Sequence, residues 1–171
     1  MRFLRDKFKY IVYSFVLGLS IGIFLKGVYQ YTAKQPCSWK SKPIIINCIG
    51  PELEEETIQR AIEFWSSHGE HVLFYEYDMS KSICNQTTRL DGFILLKKDD
   101  GFIKEDNVLA STKRYTSYIT TIVASEIYFK EGTYNIILLL EHEFGHAFGY
   151  NHKKIPGNIM HPYYDLMGEK F

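Results

Sequence analysis

The sequence predicts an α+β domain with about five strands and two main helices, preceded by an N-terminal transmembrane helix. A basic N-terminus leads into an apolar run, short apolar and β-branched segments alternate with turns, and two segments have helical character. The 171 residues suffice for one domain and an appendage. A hydrophobic content of 46% fits a folded core, and a formal net charge of zero argues against nucleic-acid binding.

Residues 1–31 predict a cytoplasmic stub and a signal anchor. Basic residues precede an apolar run over residues 10–25, and Lys26 can extend the span by placing its ammonium group at the membrane interface. The positive flank predicts a cytoplasmic N-terminus and a domain on the far side of the membrane. A cleaved signal peptide, which would give a secreted protein, is the alternative, and a buried soluble helix is a third interpretation.

A linker and a first strand are predicted next. Residues 32–42 are polar and contain Pro36, whereas the pattern of a folded domain begins at Pro43 and covers residues 43–171. The β-branched run 44–46 predicts the first strand of this domain.

The segment after Gly50 predicts the first helix. Pro51 would lie in its first turn, followed by acidic residues near the positive end of the helix dipole, and Gly69 would end it. The apolar face at helical spacing consists of Ile58, Ala61, Ile62 and Trp65.

Four more strands and a second helix complete the pattern. The predicted strands cover residues 72–77, 93–96, 108–115 and 119–129. Five consecutive apolar residues, 136–140, lead into the second helix. A helix that is apolar all round lies inside a core, so we expect this helix to be central.

The second helix carries the motif H-E-x-x-H-x-x-G-x-x-H, which predicts a metal site. His142 and His146 are four residues apart and project from one face of a helix. Gly149 can adopt the left-handed conformation that ends a helix, so that the chain turns and returns His152 as a third ligand. Three protein ligands leave one position open for water, as in a catalytic zinc site.

Glu143 lies beside the predicted metal but outside the row of ligands. Zinc lowers the pKa of its bound water towards about 7, and Glu143 can accept that water's proton and pass it to a leaving amine. The motif therefore predicts a zinc endopeptidase with Glu143 as base and acid. A membrane-tethered binding or structural module that keeps zinc for stability is the alternative, although a structural zinc needs no carboxylate at this position.

A second motif, N-I-M-H-P at residues 158–162, follows a short polar loop. Together the two motifs resemble the metzincin zinc peptidases, and among these the matrixins, whose Met-turn has a tyrosine two residues after its proline. By this resemblance Met160 forms a hydrophobic floor under the metal. The wall of the pocket for the residue after the scissile bond would consist of Pro162, Tyr163 and Tyr164. Tyr163 would either donate a hydrogen bond to the oxyanion or pack in this wall. His161 replaces the family's tyrosine, and both a fourth ligand and a loop histidine remain open.

The segment N-V-L-A at residues 107–110 resembles the family's strand along the upper rim of the cleft. By this resemblance the backbones of Leu109, Ala110 and Ser111 pair with an extended polypeptide substrate as an added strand, with an ordinary sheet edge as the alternative. In element order the resemblance covers residues 43–164 and implies the metzincin (zincin-like) fold, a twisted mixed sheet with two helices packed on it.

Two departures from the matrixin pattern change the expectations. Residues 115–132 lack the Asp- and His-rich loops that hold further metals in the family, so we expect one catalytic zinc and no calcium. Only residues 165–171 stand where the family has a C-terminal helix, so we expect stability to come from the linker or from a partner.

The cysteines are Cys37, Cys48 and Cys84. An oxidising compartment would give one disulfide and one thiol, with three pairings open and Cys48–Cys84 favoured, whereas a reducing compartment would leave all three reduced. Cys37 could instead reach the zinc as an inhibitory thiolate.

Overall fold

A computed structural model describes residues 37–76, 81–86, 88–118 and 120–171. The predicted membrane anchor in residues 1–31 lies outside this described part. Within it, no helix combines the length and apolar character that a membrane crossing requires.

Six strands form one mixed sheet: β1 (Ser38–Trp39), β2 (Ile44–Asn47), β3 (Phe74–Glu76), β4 (Phe93–Lys98), β5 (Ala110–Ser117) and β6 (Thr121–Phe129). Strands β3, β2, β4 and β6 are parallel neighbours in that order. β5 runs antiparallel along the whole of β6, and β1 pairs with the first residues of β6. Among the described strands, β5 is therefore an edge strand. The predicted mixed sheet is confirmed, and the four later strands have ends within two residues of those predicted.

The sheet begins inside the predicted linker. Ser38 and Trp39 pair with Thr121 and Ile122 of β6. The indole Nε1 of Trp39 donates a hydrogen bond to the carbonyl of Ala147, 2.9 Å away. The folded part of the chain thus starts before the predicted boundary at residue 43. A two-residue strand carries no periodicity that a sequence pattern could reveal.

Helix α1 (Glu55–Ser67) begins later than predicted. Pro51 is not in its first turn, so that prediction is wrong. The reason is a separate turn before the helix, in which the Asn47 side chain bonds the backbone N–H groups of Ile49 and Gly50 at 2.9 and 3.1 Å. Most of the predicted apolar face is buried, Ile62 is half-buried, and Gly69 has the expected positive φ of 90°.

The zinc-motif helix, α3 (Leu139–Ala147), is central, as expected. All of its residues except His146 are buried. It packs against α1, where Trp65 donates to the carbonyl of Glu141 at 2.6 Å and Arg60 pairs with the Glu141 carboxylate at 2.6 Å.

A short helix that the sequence did not predict, α2 (Lys81–Cys84), ends in a disulfide. Cys84 is bonded to Cys48, which follows β2, so the favoured pairing is confirmed. Cys37 lies outside this disulfide.

The segment after the Met-turn folds back onto α1 and onto the residues that follow α3. A single 3-10 turn, Tyr164–Leu166, is followed by a backbone bond from Ile159 N–H to the Lys170 carbonyl at 2.7 Å. The Phe171 ring then contacts Trp65 and Tyr150, with ring centroids 4.9 and 4.8 Å away. Phe171 and Trp39 of the linker strand β1 both pack against the hydrophobic core.

Candidate metal centre and cleft

Hydrogen bonds orient the first two histidine rings of the motif. His142 Nδ1 lies 2.8 Å from the Ile159 carbonyl, and His146 Nδ1 lies 2.9 Å from the Tyr150 carbonyl. A carbonyl oxygen only accepts, so each Nδ1 carries the proton and donates it. Each Nε2 consequently presents a lone pair, which is the form in which histidine binds a metal.

The three Nε2 atoms converge on one point. His142 and His146 are separated by 3.1 Å, His146 and His152 by 3.1 Å, and His142 and His152 by 3.3 Å. Zn–N bonds of about 2.0–2.1 Å in a tetrahedral arrangement place ligand atoms roughly 3.3 Å apart, so the donor set fits zinc. Among the described residues, this is the group of His, Cys, Asp and Glu whose ligand atoms converge in this way.

Burial keeps these histidines neutral. Loss of solvent lowers the pKa of His142 to about 4 and that of His146 to about 3, and it also lowers the pKa of His152. Neutral imidazole is the ligand that a divalent cation requires, so all three rings are in the binding form at neutral pH.

Gly149 ends the helix as predicted, and its surroundings supply a second reason for glycine. Its φ is 105°, in the left-handed region. A Cβ at this position would lie 2.0 Å from the backbone oxygen of Cys37. The turn that returns His152 is therefore held against the segment that leads into β1.

Met160 lies under the zinc helix. Its side chain is fully buried, and a Cβ on Gly145 would meet the Met160 sulfur at 2.2 Å and the Trp65 ring at 2.6 Å. Gly145 therefore lets the helix approach the Met-turn closely. His161 is buried in the same turn, where its Nδ1 accepts a hydrogen bond from Tyr163 N–H at 3.1 Å. His161 does not belong to the converging ligand group, which favours the loop-histidine interpretation.

Among the described residues, Glu143 has one side-chain hydrogen-bond partner. Its carboxyl group is buried, and the Thr112 hydroxyl of β5 contacts both its Oε2 atom and its backbone carbonyl. Burial raises the pKa of Glu143 to about 7, and the Thr112 hydrogen bond only partly opposes this rise. The carboxyl group is thus poised to exchange a proton near neutral pH.

An open cleft of about 1000 Å³ runs along β5 and contains the three histidines and Glu143. All six residues predicted for substrate binding line it, namely Leu109, Ala110, Ser111, Pro162, Tyr163 and Tyr164. The Ser111 side chain lies on the other face of the sheet, because Ser111 pairs with Tyr128 and alternates with Thr112. Ser111 therefore meets the cleft through its backbone, in keeping with the predicted role.

Sequence reasoning missed several residues of this cleft, among them Thr112, Arg114 and Asn151. The first two share a sheet face with Ala110, so the period of two along β5 was the signal that could have identified them. Asn151 gave no such signal beyond its position next to His152.

A comparison with protein families agrees with this geometry. A family model described as Matrixin matches residues 47–171, which include β5, the metal motif and the Met-turn. No curated protein sequence matches the chain.

Proposed function

Since this chain belongs to the matrixin family of zinc metallopeptidases, we propose that it is an endopeptidase that cleaves extended polypeptides. One observation carries the proposal: three histidine Nε2 atoms converge beside a buried carboxyl group in an open cleft. A zinc that serves only structure needs neither the cleft nor the carboxylate, so the arrangement favours an enzyme over a binding module.

His142, His146 and His152 would hold the zinc ion. When bound, zinc would supply a Lewis acid for the scissile carbonyl and lower the pKa of the attacking water. Glu143 would take a proton from that water and deliver it to the amine nitrogen as the peptide bond breaks. The carboxylate can serve in both steps, because it accepts the proton as a base and the carboxylic acid so formed donates it. The Thr112 hydroxyl would hold Oε2, which leaves the other carboxylate oxygen for proton transfer.

The substrate would add a strand to the free edge of β5. In the described part of the chain β5 pairs with β6 on one side only, and its other side faces the cleft. The backbones of residues 109–111 would supply the main-chain hydrogen bonds. Leu109, Leu139 and Tyr164 would form an apolar pocket for the residue after the cleaved bond.

We also propose that the domain works outside the cytoplasm, held by the predicted anchor in residues 1–31. The disulfide between Cys48 and Cys84 supports this location, since such bonds persist in oxidising compartments. Alkylation of intact and lysed cells by a membrane-impermeant thiol reagent, after mild reduction, tests it. Labelling that requires lysis would contradict the proposal.

The decisive experiment uses the full chain loaded with one equivalent of zinc. Unfolded casein and an internally quenched peptide library serve as substrates for wild type, Glu143→Ala and Glu63→Ala. Glu63 is an exposed glutamate of α1 and provides the matched control. We expect cleavage by wild type and Glu63→Ala, and none by Glu143→Ala or after chelation. Bound zinc in all three proteins without any cleavage would support the binding or structural module instead.

A further inference from the structure

Arg114 places a positive charge in the cleft beyond the proposed catalytic centre. It lies on β5 two residues after Thr112, so both side chains share the face that carries the Thr112 contact with Glu143. Arg114 lines the same cleft as His142 and His146 and is half-buried. A guanidinium group at this position is partly removed from water and lines the cleft.

The Arg114 guanidinium has hydrogen-bonding capacity to spare. Its Nη2 donates one long hydrogen bond, 3.3 Å, to the neutral side chain of Asn151. The ion pairs of the described residues involve Arg60, Arg89, Lys97 and Lys98, and none of them includes Arg114. The group has five N–H donors in a planar fork, whose preferred partner is a carboxylate.

The two ends of the cleft differ in chemistry. Val108, Leu109 and Leu139 make one end apolar, and Arg114 with Asn151 makes the other end cationic and polar. Arg114 lies five residue steps after Leu109, which corresponds to roughly 16 Å in an extended chain.

Glu143 meets β5 at Thr112, between these two ends. If the apolar end takes the residue after the cleaved bond, then Arg114 faces residues before that bond. The step from Thr112 to Arg114, about 7 Å, corresponds to two residues of substrate.

We propose that Arg114 selects substrates with an acidic side chain about two residues before the scissile bond. This inference rests on the proposed peptidase function and adds the substrate class. The acidic side chains that line the described cleft, Glu143 and Asp165, form no ion pair with Arg114 within 4.0 Å, so an incoming carboxylate does not have to displace one.

The test begins with a peptide that the zinc-loaded full chain cleaves, with the cut mapped by mass spectrometry. Versions with Glu, Gln or Lys at each of the four positions before the cut are compared by kcat/KM. Wild type should prefer Glu over Gln by about tenfold at one position, as expected for a charge-assisted hydrogen bond. Arg114→Gln should lose this preference, and Arg114→Glu should prefer Lys. The preference should weaken at high salt.

Lys113→Gln is the matched control, because the neighbouring Lys113 lies on the other face, over the Tyr115 ring. It should keep the preference for Glu. A second readout does not require turnover: the Kd values of the Glu and Gln peptides are measured for Glu143→Ala and for the double variant that also carries Arg114→Gln. Glu143→Ala should bind the Glu peptide about tenfold more tightly than the Gln peptide, and the double variant should bind both peptides equally.

Two outcomes would overturn the inference in distinguishable ways. Cleavage by wild type without an acidic preference at any of the four positions would refute the role of Arg114 and leave the peptidase function standing. A complete absence of cleavage by the zinc-loaded wild type would refute the proposed function, and the inference with it.

Discussion

Two buried glutamates lie on opposite faces of the β5–β6 pair, and their environments differ sharply. Glu143, on the cleft side, is bonded by one side-chain donor, the Thr112 hydroxyl. Glu126, on the other side, accepts hydrogen bonds from the Lys97 ammonium at 2.8 Å and the Tyr115 hydroxyl at 2.7 Å. The Tyr128 hydroxyl, at 3.0 Å, is its third donor.

The same residue type therefore has opposite pKa shifts on the two faces. Burial by itself acts to raise the pKa of both carboxyl groups. At Glu126 the three hydrogen-bond donors outweigh burial, so the pKa of this group is lowered. At Glu143 a single hydroxyl donor does not outweigh burial, so the pKa of this group rises to about 7. The number of donors thus separates a carboxylate that stabilises the fold from one that can exchange protons.

The largest expected effect concerns catalysis. Glu143→Gln should lower kcat by about 10²–10⁴-fold, because it removes the general base, while zinc content stays unchanged. Glu126→Gln should retain the catalytic rate of the folded fraction. Peptide cleavage, normalised to active protein by zinc-site titration, measures both. Similar losses of kcat in the two variants would contradict the distinction.

The next effect concerns stability. Glu126→Gln should lower the free energy of unfolding by about 2 kcal/mol, since the charge-assisted bond to Lys97 is lost and the Lys97 ammonium keeps no carboxylate partner. Urea denaturation followed by circular dichroism measures this difference. An unchanged free energy of unfolding would mean that the hydrogen bonds of Glu126 orient its neighbours without stabilising the fold.

In chelated protein the two glutamates should give stability differences of opposite pH dependence. Glu126 has a folded pKa below its usual 4.5, so its contribution is complete above about pH 4.5 and is lost as the pH falls through the folded pKa. Glu143 has a folded pKa of about 7, so its unfavourable contribution is absent below pH 4.5 and grows until about pH 7.

Unfolding of wild type and of each Gln variant between about pH 3 and 8 checks both signs. The advantage of wild type over Glu126→Gln should shrink in acid. The stability of Glu143→Gln relative to wild type should increase between pH 4.5 and 7. His142, His146 and His152 titrate in the same range, but they are common to all three proteins, and the differences remove them. With each difference taken as wild type minus variant, the Glu126 difference should rise with pH and the Glu143 difference should fall, and two profiles that change in the same direction would refute the comparison.

A smaller effect is expected at the single donor of Glu143. Thr112→Val keeps the shape of the side chain but removes the hydroxyl, and it should lower kcat by about tenfold with little change in KM. Thr112→Ser restores the donor and should recover most of the loss. A serine variant no better than valine would show that Thr112 acts by packing alone.

The smallest effect should come from one of the three donors of Glu126. Tyr115→Phe removes a neutral hydroxyl at a site where Lys97 and Tyr128 remain bonded, and should cost about 1 kcal/mol of unfolding free energy. Thermal denaturation is the measurement. A loss as large as that of Glu126→Gln would indicate that the donors act only as a complete set.

Most features that depend on neighbouring residues could be predicted from the sequence, and features that depend on distant partners could not. The convergence of the three histidines, the central α3 helix and the order of the later strands were all predictable, because each depends on spacing within one short segment. The start of α1 was not, because the Asn47 side chain organises a turn that no helix signal describes. β1 and the fold-back of Phe171 also escaped prediction, since each depends on distant partners.

Local spacing is enough to place His142 and His146 on one helix face and to end this helix at a glycine, because helix geometry repeats every few residues. The contact of Thr112 with Glu143, 31 residues away, and the position of Arg114 in the same cleft arise only when the chain has folded. These contacts depend on the register of β5 against β6 and on how α3 packs beside that pair. A one-residue slip of β5 would turn both side chains to the other face of the sheet, so their roles follow from packing rather than from local sequence.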